Sequence, residues 1–166
     1  MNPIEDRLAI QDLYYYCAHL IDSGQGIRCP EEIFTADAVV NYGGGADMVG
    51  RNALLQAFGD IPSTLEATSH NITNITVRVD GDFATGVARV IGWHWMQDNR
   101  HLGPNRPVDF LQVAGYADEF RREQGRWWIA KRVVHALGPG NTGLGVGVPP
   151  SWPSAAPHWR EIRWPF

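Results

Sequence analysis

Apolar residues near the start of the chain fall at helical spacing and later give way to long runs of alternation. Leu13, Cys17, Leu20 and Ile21 repeat on one helical face. Upstream, Asn2-Pro3-Ile4-Glu5 reads as the helix start: Asn2 can cap, Pro3 suits the first turn, and Glu5 lies three residues after the cap. The helix runs to Asp22, where Ser23-Gly24-Gln25-Gly26 stops it. Pro30 to Phe34 predicts a short second helix, and Ala38 to Tyr42 a strand ended by Gly43-Gly44-Gly45. Gly50-Arg51 opens a third helix through about Phe58. Alternation then predicts strands over 68–79, 83–97, 108–122 and 126–137, with turns at Asp80-Gly81-Asp82 and Gln124-Gly125. Helices first and an antiparallel meander afterwards predict an α+β fold, with the helices on one face of a curved sheet.

Residues 138–166 break this pattern. They are rich in Pro and Gly yet carry Trp152, Trp159, Trp164 and Phe166. So many aromatics are unusual in a disordered tail, so the expected organisation is one domain over 1–137 with a tail over 138–166 docked on the body or on a neighbouring subunit. Open sheet faces and the aromatic tail together predict a homodimer or homotrimer.

Composition narrows the function classes. A chain of 166 residues with 44% hydrophobic content fits one domain with a sizeable core. A net charge of −4, with the arginines scattered, argues against a nucleic-acid partner. The N-terminus lacks a basic segment followed by an apolar one, and no apolar run approaches the ~18 residues of a membrane span, so a cytoplasmic protein without membrane partners is expected. The sequons at Asn71 and Asn74 then read as chance. Cys17 and Cys29 offer no disulfide framework, and Cys17 reads as a small core residue.

Two polar residues far apart in sequence carry the chemistry: Asp22 at the end of the first helix and His70 at the mouth of a strand. A carboxylate at a helix C-terminus sits in the negative end of the macrodipole, and burial raises its pKa further. Asp22 is thus badly placed for stability and well placed to hold His70 as a general base. On these residues alone the plainer reading, a surface Asp and a satisfied strand-end His, comes first. His94 sits between Trp93 and Trp95, and strand parity turns either the histidine or the two tryptophans toward a pocket. Tyr15 and Tyr16 can each donate into a site, helical phase favours one of them, and Tyr14 reads as core. His70, His94 and His135 have no short metal-ligand spacing, so no metal is expected. Gly143-Leu144-Gly145-Val146-Gly147 is followed by Pro149-Pro150 where a dinucleotide-binding helix would begin, and no cofactor is expected.

The segments Tyr14-Tyr15-Tyr16-Cys17-Ala18-His19-Leu20-Ile21-Asp22, Phe34-Thr35-Ala36-Asp37-Ala38, Gly50-Arg51, Thr68-Ser69-His70-Asn71-Ile72-Thr73-Asn74, and Gly115-Tyr116-Ala117-Asp118-Glu119-Phe120 followed by Gly125-Arg126-Trp127 occur in an order that resembles the SnoaL-like branch of the nuclear transport factor 2-like superfamily. The resemblance covers roughly residues 4–137. Its members include scytalone dehydratase, bile-acid 7α-dehydratase, hexachlorocyclohexane dehydrochlorinase, ketosteroid isomerase and polyketide cyclases. The resemblance implies a cone: a curved mixed sheet around a deep pocket closed by N-terminal helices. It implies that Asp22 and His70 form the catalytic pair, that Tyr42 handles a leaving hydroxyl, and that His94 is a second acid/base residue. Arg132 matches a pocket arginine of the dehydrochlorinase, whereas Cys17 stands where that enzyme carries its catalytic Lys, which argues against chloride elimination. Tyr16, Tyr116, Trp93, Trp95, Arg132 and His135 complete the expected substrate-binding set.

The function expected from these readings is a cofactor-independent lyase acting on a hydrophobic, aromatic or polycyclic substrate. Dehydratase-type elimination comes first, and loss of a small carbonyl such as formaldehyde would use the same base. An isomerase or polyketide cyclase is the alternative. A non-catalytic module, similar to the small subunit of a ring-hydroxylating dioxygenase, is the second alternative.

Overall fold

The computed structural model describes residues 2–43 and 45–137. Helix α1 spans Pro3–Asp22, and both halves of its capping box form. The Ile4 N–H donates to the Asn2 side chain at 3.0 Å, and the Asn2 N–H donates to Glu5 at 3.5 Å. Its inner face buries Ile10, Leu13, Tyr14, Cys17 and Leu20. The Ser23 N–H closes the last turn on the His19 carbonyl at 3.0 Å, which fixes where Asp22 points off the helix.

After Asp22 the chain makes a 3-10 turn, Gly26–Arg28, that runs into the one-turn helix α2, Cys29–Glu32. The second helix therefore starts one residue before Pro30 and ends before Phe34. Phe34 instead opens strand β1, Phe34–Asn41, four residues ahead of the expected start. The cause is an irregularity in pairing between Phe34 and Val39, which buries Phe34 and Thr35 together and hides the strand's period.

A two-residue strand, β2 (Met48–Val49), precedes helix α3, Gly50–Thr64. Sequence reasoning ends α3 near Phe58, but Pro62 lies inside it. Proline forfeits only one backbone donor, while Ile61 packs on the core and the Ser63 hydroxyl donates to the Asp60 carbonyl at 2.7 Å. Strand β3, Leu65–Asp80, follows at once; then come β4 (Phe83–Met96), a 3-10 segment (Gln97–Leu102), β5 (Phe110–Glu123) and β6 (Arg126–Ala136).

The six strands form one curved sheet in the order β2-β1-β6-β5-β4-β3. All pairs are antiparallel except β1 with β6, which makes the sheet mixed. Register shifts in β3 between Thr73 and Thr76, and in β5 between Glu119 and Phe120, bend it. Asn74 takes the left-handed backbone (φ 52°) at the first of these, a conformation that Asn tolerates better than most residues. The sheet wraps α1, and its inner face is set by parity: on β4, Ala84, Gly86, Ala88, Val90, Gly92 and His94 all point inward and are buried. A methyl group at Gly86 would lie 2.9 Å from the Phe120 ring and 3.0 Å from the Tyr14 hydroxyl, so the bare backbone there is what lets α1 settle into the cone.

Candidate active site

Parity on β3 turns Thr68 and His70 toward the end of α1, where Asp22 meets both. His70 Nδ1 lies 2.6 Å from Asp22 Oδ1, the His70 N–H donates to Oδ2 at 2.7 Å, and the Thr68 hydroxyl donates to Oδ1 at 2.7 Å. The carboxylate is thus fixed by three donors on one strand. Ionised, it can only accept, so Nδ1 carries the imidazole proton and Nε2 is left with a free lone pair. Thr68 was not singled out from the sequence. Its signal is the two-residue spacing to His70, which places both on one face.

The macrodipole and burial of Asp22 lead one to expect a raised pKa. Burial does push the carboxyl up, but the hydrogen bonds from His70 and Thr68 outweigh it, and the group lies below the usual carboxylate value. Asp22 therefore stays charged under the imidazole.

His94 enters from the neighbouring strand. Its ring centroid is 5.4 Å from that of His70, nearly perpendicular, and it stacks on Phe110 at 4.2 Å with an interplanar angle of 3°. Gly92 makes this approach possible. It pairs with His70 across the ladder, and a Cβ there would sit 2.8 Å from His94 Cε1 and 3.2 Å from His70 Nε2. His94 is 6% exposed, and its Nδ1 has no hydrogen-bond partner. Burial, together with the charge of His70, lowers its pKa to about 4, so it is a neutral imidazole at neutral pH. His94 is thus a neutral hydrogen-bonding ring set edge-on beside His70.

Beyond His70 lies a cavity of about 10 Å³, lined by Cys17, Ile21, His70, Ile72, Tyr116 and Arg132, with room for about one water. At the mouth, on the far side of His94, a groove of about 440 Å³ is bordered by Ile61, Leu65, His94, Met96 and Phe110, with Asp60 and Thr64 on its rim. The deep end is built on Arg132, which is 1% exposed and holds Asp118 with a fork of contacts at 2.7–3.2 Å. Its guanidinium lies 4.2 Å from the Tyr116 ring centroid and 3.7 Å, through NH1, from Cys17 Sγ. In sequence Asp118 reads only as part of a hairpin. Its signal is its position two residues from Tyr116, on the same inward face.

The other expected site residues divide by face. Tyr116 lines the inner cavity. Tyr42 follows β1; its ring meets Phe58 edge-on at 6.4 Å, and the residue is 43% exposed. Desolvation, with the charge of Cys17 next, pushes its hydroxyl well up. Four expectations are corrected. Trp93 and Trp95 alternate with His94 and so lie on the outer face of the sheet. His135, opposite Gly115, shares that outer face, while its neighbour Val134 is buried inside. Tyr16 turns outward, where its hydroxyl donates to Glu32 at 2.6 Å and accepts from Arg28 at 3.1 Å; Tyr14, two residues earlier on the helix, occupies the inner position instead. Because His135 faces away, the three histidines do not converge, and among the described residues no group of three potential ligands is poised for a metal. Among the same residues no helix is long and apolar enough to cross a membrane. The expected docking of the tail over 138–166, including Gly143 to Gly147, lies outside the described residues.

Residues 2–133 match the family model of the SnoaL-like domain. An uncharacterized protein of Mycobacterium tuberculosis is 33% identical over 135 residues, covering 78% of this chain and 84% of its own length. Among solved structures, a Novosphingobium aromaticivorans protein provisionally named an aromatic ring hydroxylase is 30% identical with a TM-score of 0.72, covering 84% of this chain and 94% of that one. A hexachlorocyclohexane dehydrochlorinase from Novosphingobium barchaimii is similar in fold, with a TM-score of 0.70, 23% identity and coverage of 89% and 97%. The chain belongs to the SnoaL-like domain family and has its nuclear transport factor 2-like fold.

Proposed function

We propose that this SnoaL-like chain is a cofactor-independent lyase in which His70, oriented by Asp22, removes a proton from a hydrophobic, aromatic or polycyclic substrate that enters by the groove at the cone's mouth and reaches past His94 to His70. The observation that carries this reading is the 2.6 Å contact between Asp22 and His70 Nδ1, with Nε2 left free beside Gly92. A charged carboxylate stabilises the imidazolium that forms when Nε2 takes the proton. The groove's volume suits a one- or two-ring molecule, and its walls are largely apolar.

The reaction is elimination of water. His70 takes a proton from carbon, the electron pair becomes the new double bond, and the hydroxyl on the adjacent carbon leaves. It departs as water, with the proton returned by the imidazolium or supplied by the Tyr42 hydroxyl. His94, neutral, donates or accepts a hydrogen bond and holds the substrate against His70. General base catalysis contributes about 10²–10⁴-fold, and orientation in the groove supplies the remainder. The dehydrochlorinase of like fold is named for an elimination, and the relative named for aromatic rings supports an aromatic substrate class.

An isomerase or cyclase would use the same dyad and return the proton to another carbon. The experiment incubates the protein with a panel of cyclic β-hydroxy ketones in deuterated water and follows product mass. Loss of one water, abolished in His70→Ala and in Asp22→Asn, supports the lyase. Deuterium gained at constant composition supports the isomerase, and turnover unchanged in either variant removes the dyad from the mechanism.

A further inference from the structure

We propose that Cys17 and Cys29 form a redox site that hydrogen peroxide converts to an intramolecular disulfide, with Cys17 as the attacking sulfur and Cys29 as the resolving one. The inference does not depend on the reaction proposed for His70.

The two thiols come from different helices and meet in the core. Cys17 lies on α1 and Cys29 opens α2; they are 3% and 0% exposed, and their sulfurs are 4.0 Å apart. A disulfide needs about 2 Å between sulfurs, so the pair must close by about 2 Å. The surroundings make the pair unequal. Arg132 NH1 is 3.7 Å from Cys17 Sγ, and its buried positive charge, though shared with Asp118, sits on the Cys17 side. The Cys29 thiol lies within reach of both the Cys17 sulfur and the Cys17 carbonyl oxygen, 3.9 Å away. The hydrogen bond from Cys29 and the charge of Arg132 favour the Cys17 thiolate against its burial, whereas the same contact and burial keep Cys29 protonated. One activated thiolate beside one protonated thiol is the asymmetry that thiol–disulfide chemistry requires.

Access selects the oxidant. Cys17 borders the cavity of about 10 Å³ shared with His70, which fits a molecule near the size of water. Peroxide is close to that size, and bulky thiol reagents are not. The Cys17 thiolate attacks one peroxide oxygen, the O–O bond breaks, and hydroxide leaves and takes a proton from solvent to become water. Cys17 is now a sulfenic acid. The Cys29 sulfur then attacks Cys17 Sγ as its thiol proton passes to the departing hydroxyl, releasing a second water and forming the S–S bond. Two thiols and one peroxide yield one disulfide and two waters.

The bond would close the loop that contains Asp22, the carboxylate of the dyad, and would remove the titrating Cys17 thiol that Arg132 contacts.

The test uses the intact chain, exposed to hydrogen peroxide, unfolded, alkylated and weighed. The expected result is a monomer two hydrogens lighter, with both cysteines protected from alkylation and both recovered after reduction. Cys29→Ser should stop at a Cys17 sulfenic acid, trapped when the oxidised protein is unfolded in the presence of dimedone, and Cys17→Ser should slow oxidation of Cys29 by about tenfold or more. Wild-type protein that keeps both thiols alkylatable, or that gains mass only as a disulfide-linked dimer, overturns the proposal. Cys29 oxidised at the wild-type rate in Cys17→Ser overturns the assigned order of attack.

Discussion

Lowering the pH should expose the cost of burying His94 as a neutral ring. Its folded pKa is about 4 against an ordinary 6.5. The folded state therefore resists protonation that the unfolded chain accepts. The sign follows: the contribution is fully present above pH 6.5 and is lost as pH falls through that value toward about 4. That interval spans about 2.5 pH units, and at ~1.4 kcal/mol each it amounts to about 3 kcal/mol. The assay is urea unfolding of the wild type and of His94→Gln at intervals from pH 7 to pH 4.5. The variant should lose less stability over that range, by most of the 3 kcal/mol, with the urea dependence unchanged. Part of the shift comes from the charge of His70, so His70→Ala should recover part of it. Stability curves that run parallel for wild type and His94→Gln would refute the burial argument and, with it, the assignment of His94 as a neutral partner.

Three further perturbations address the rest of the site. Gly92→Ala should force the two imidazoles apart, at about 1–3 kcal/mol of overpacking, read by denaturant unfolding and by loss of the His70–His94 ring contact in NMR. Asp118→Asn leaves Arg132 buried without its counter-charge and should cost about 3–5 kcal/mol, while a combined Asp118→Leu and Arg132→Met variant should recover most of it. Thr68→Val removes one donor from Asp22; carbon-detected titration should show the Asp22 pKa rising toward the usual carboxylate value.

Much of this arrangement is legible in the sequence because it is marked locally. The capping box announces α1, the Gly24 region ends it, and Asp22 stands where the helix stops; His70, expected at the mouth of its strand, lies inside β3, which pairs from Leu65 onward. The hairpins are written in their turn residues, with Gln124 and Gly125 both at positive φ. What needed coordinates is non-local. The parallel pairing of β1 with β6 joins strands about ninety residues apart (Phe34 with Ile129), and no turn signals it. Parity alone leaves open whether His94 or its flanking tryptophans face inward; the answer depends on the register that puts His70 opposite Gly92. Cys17 reads as a small core residue and the two cysteines offer no disulfide framework, because neither sequence position reveals the other sulfur or the guanidinium of Arg132.

The free lone pair on His70 Nε2 underlies the whole account, and nitrogen-15 NMR of the ring reads it directly. Asp22 as acceptor predicts the Nδ1–H tautomer in neutral His70, with Nε2 resonating as an unprotonated nitrogen, and loss of that preference in Asp22→Asn. A neutral His70 carrying its proton on Nε2 would contradict the account.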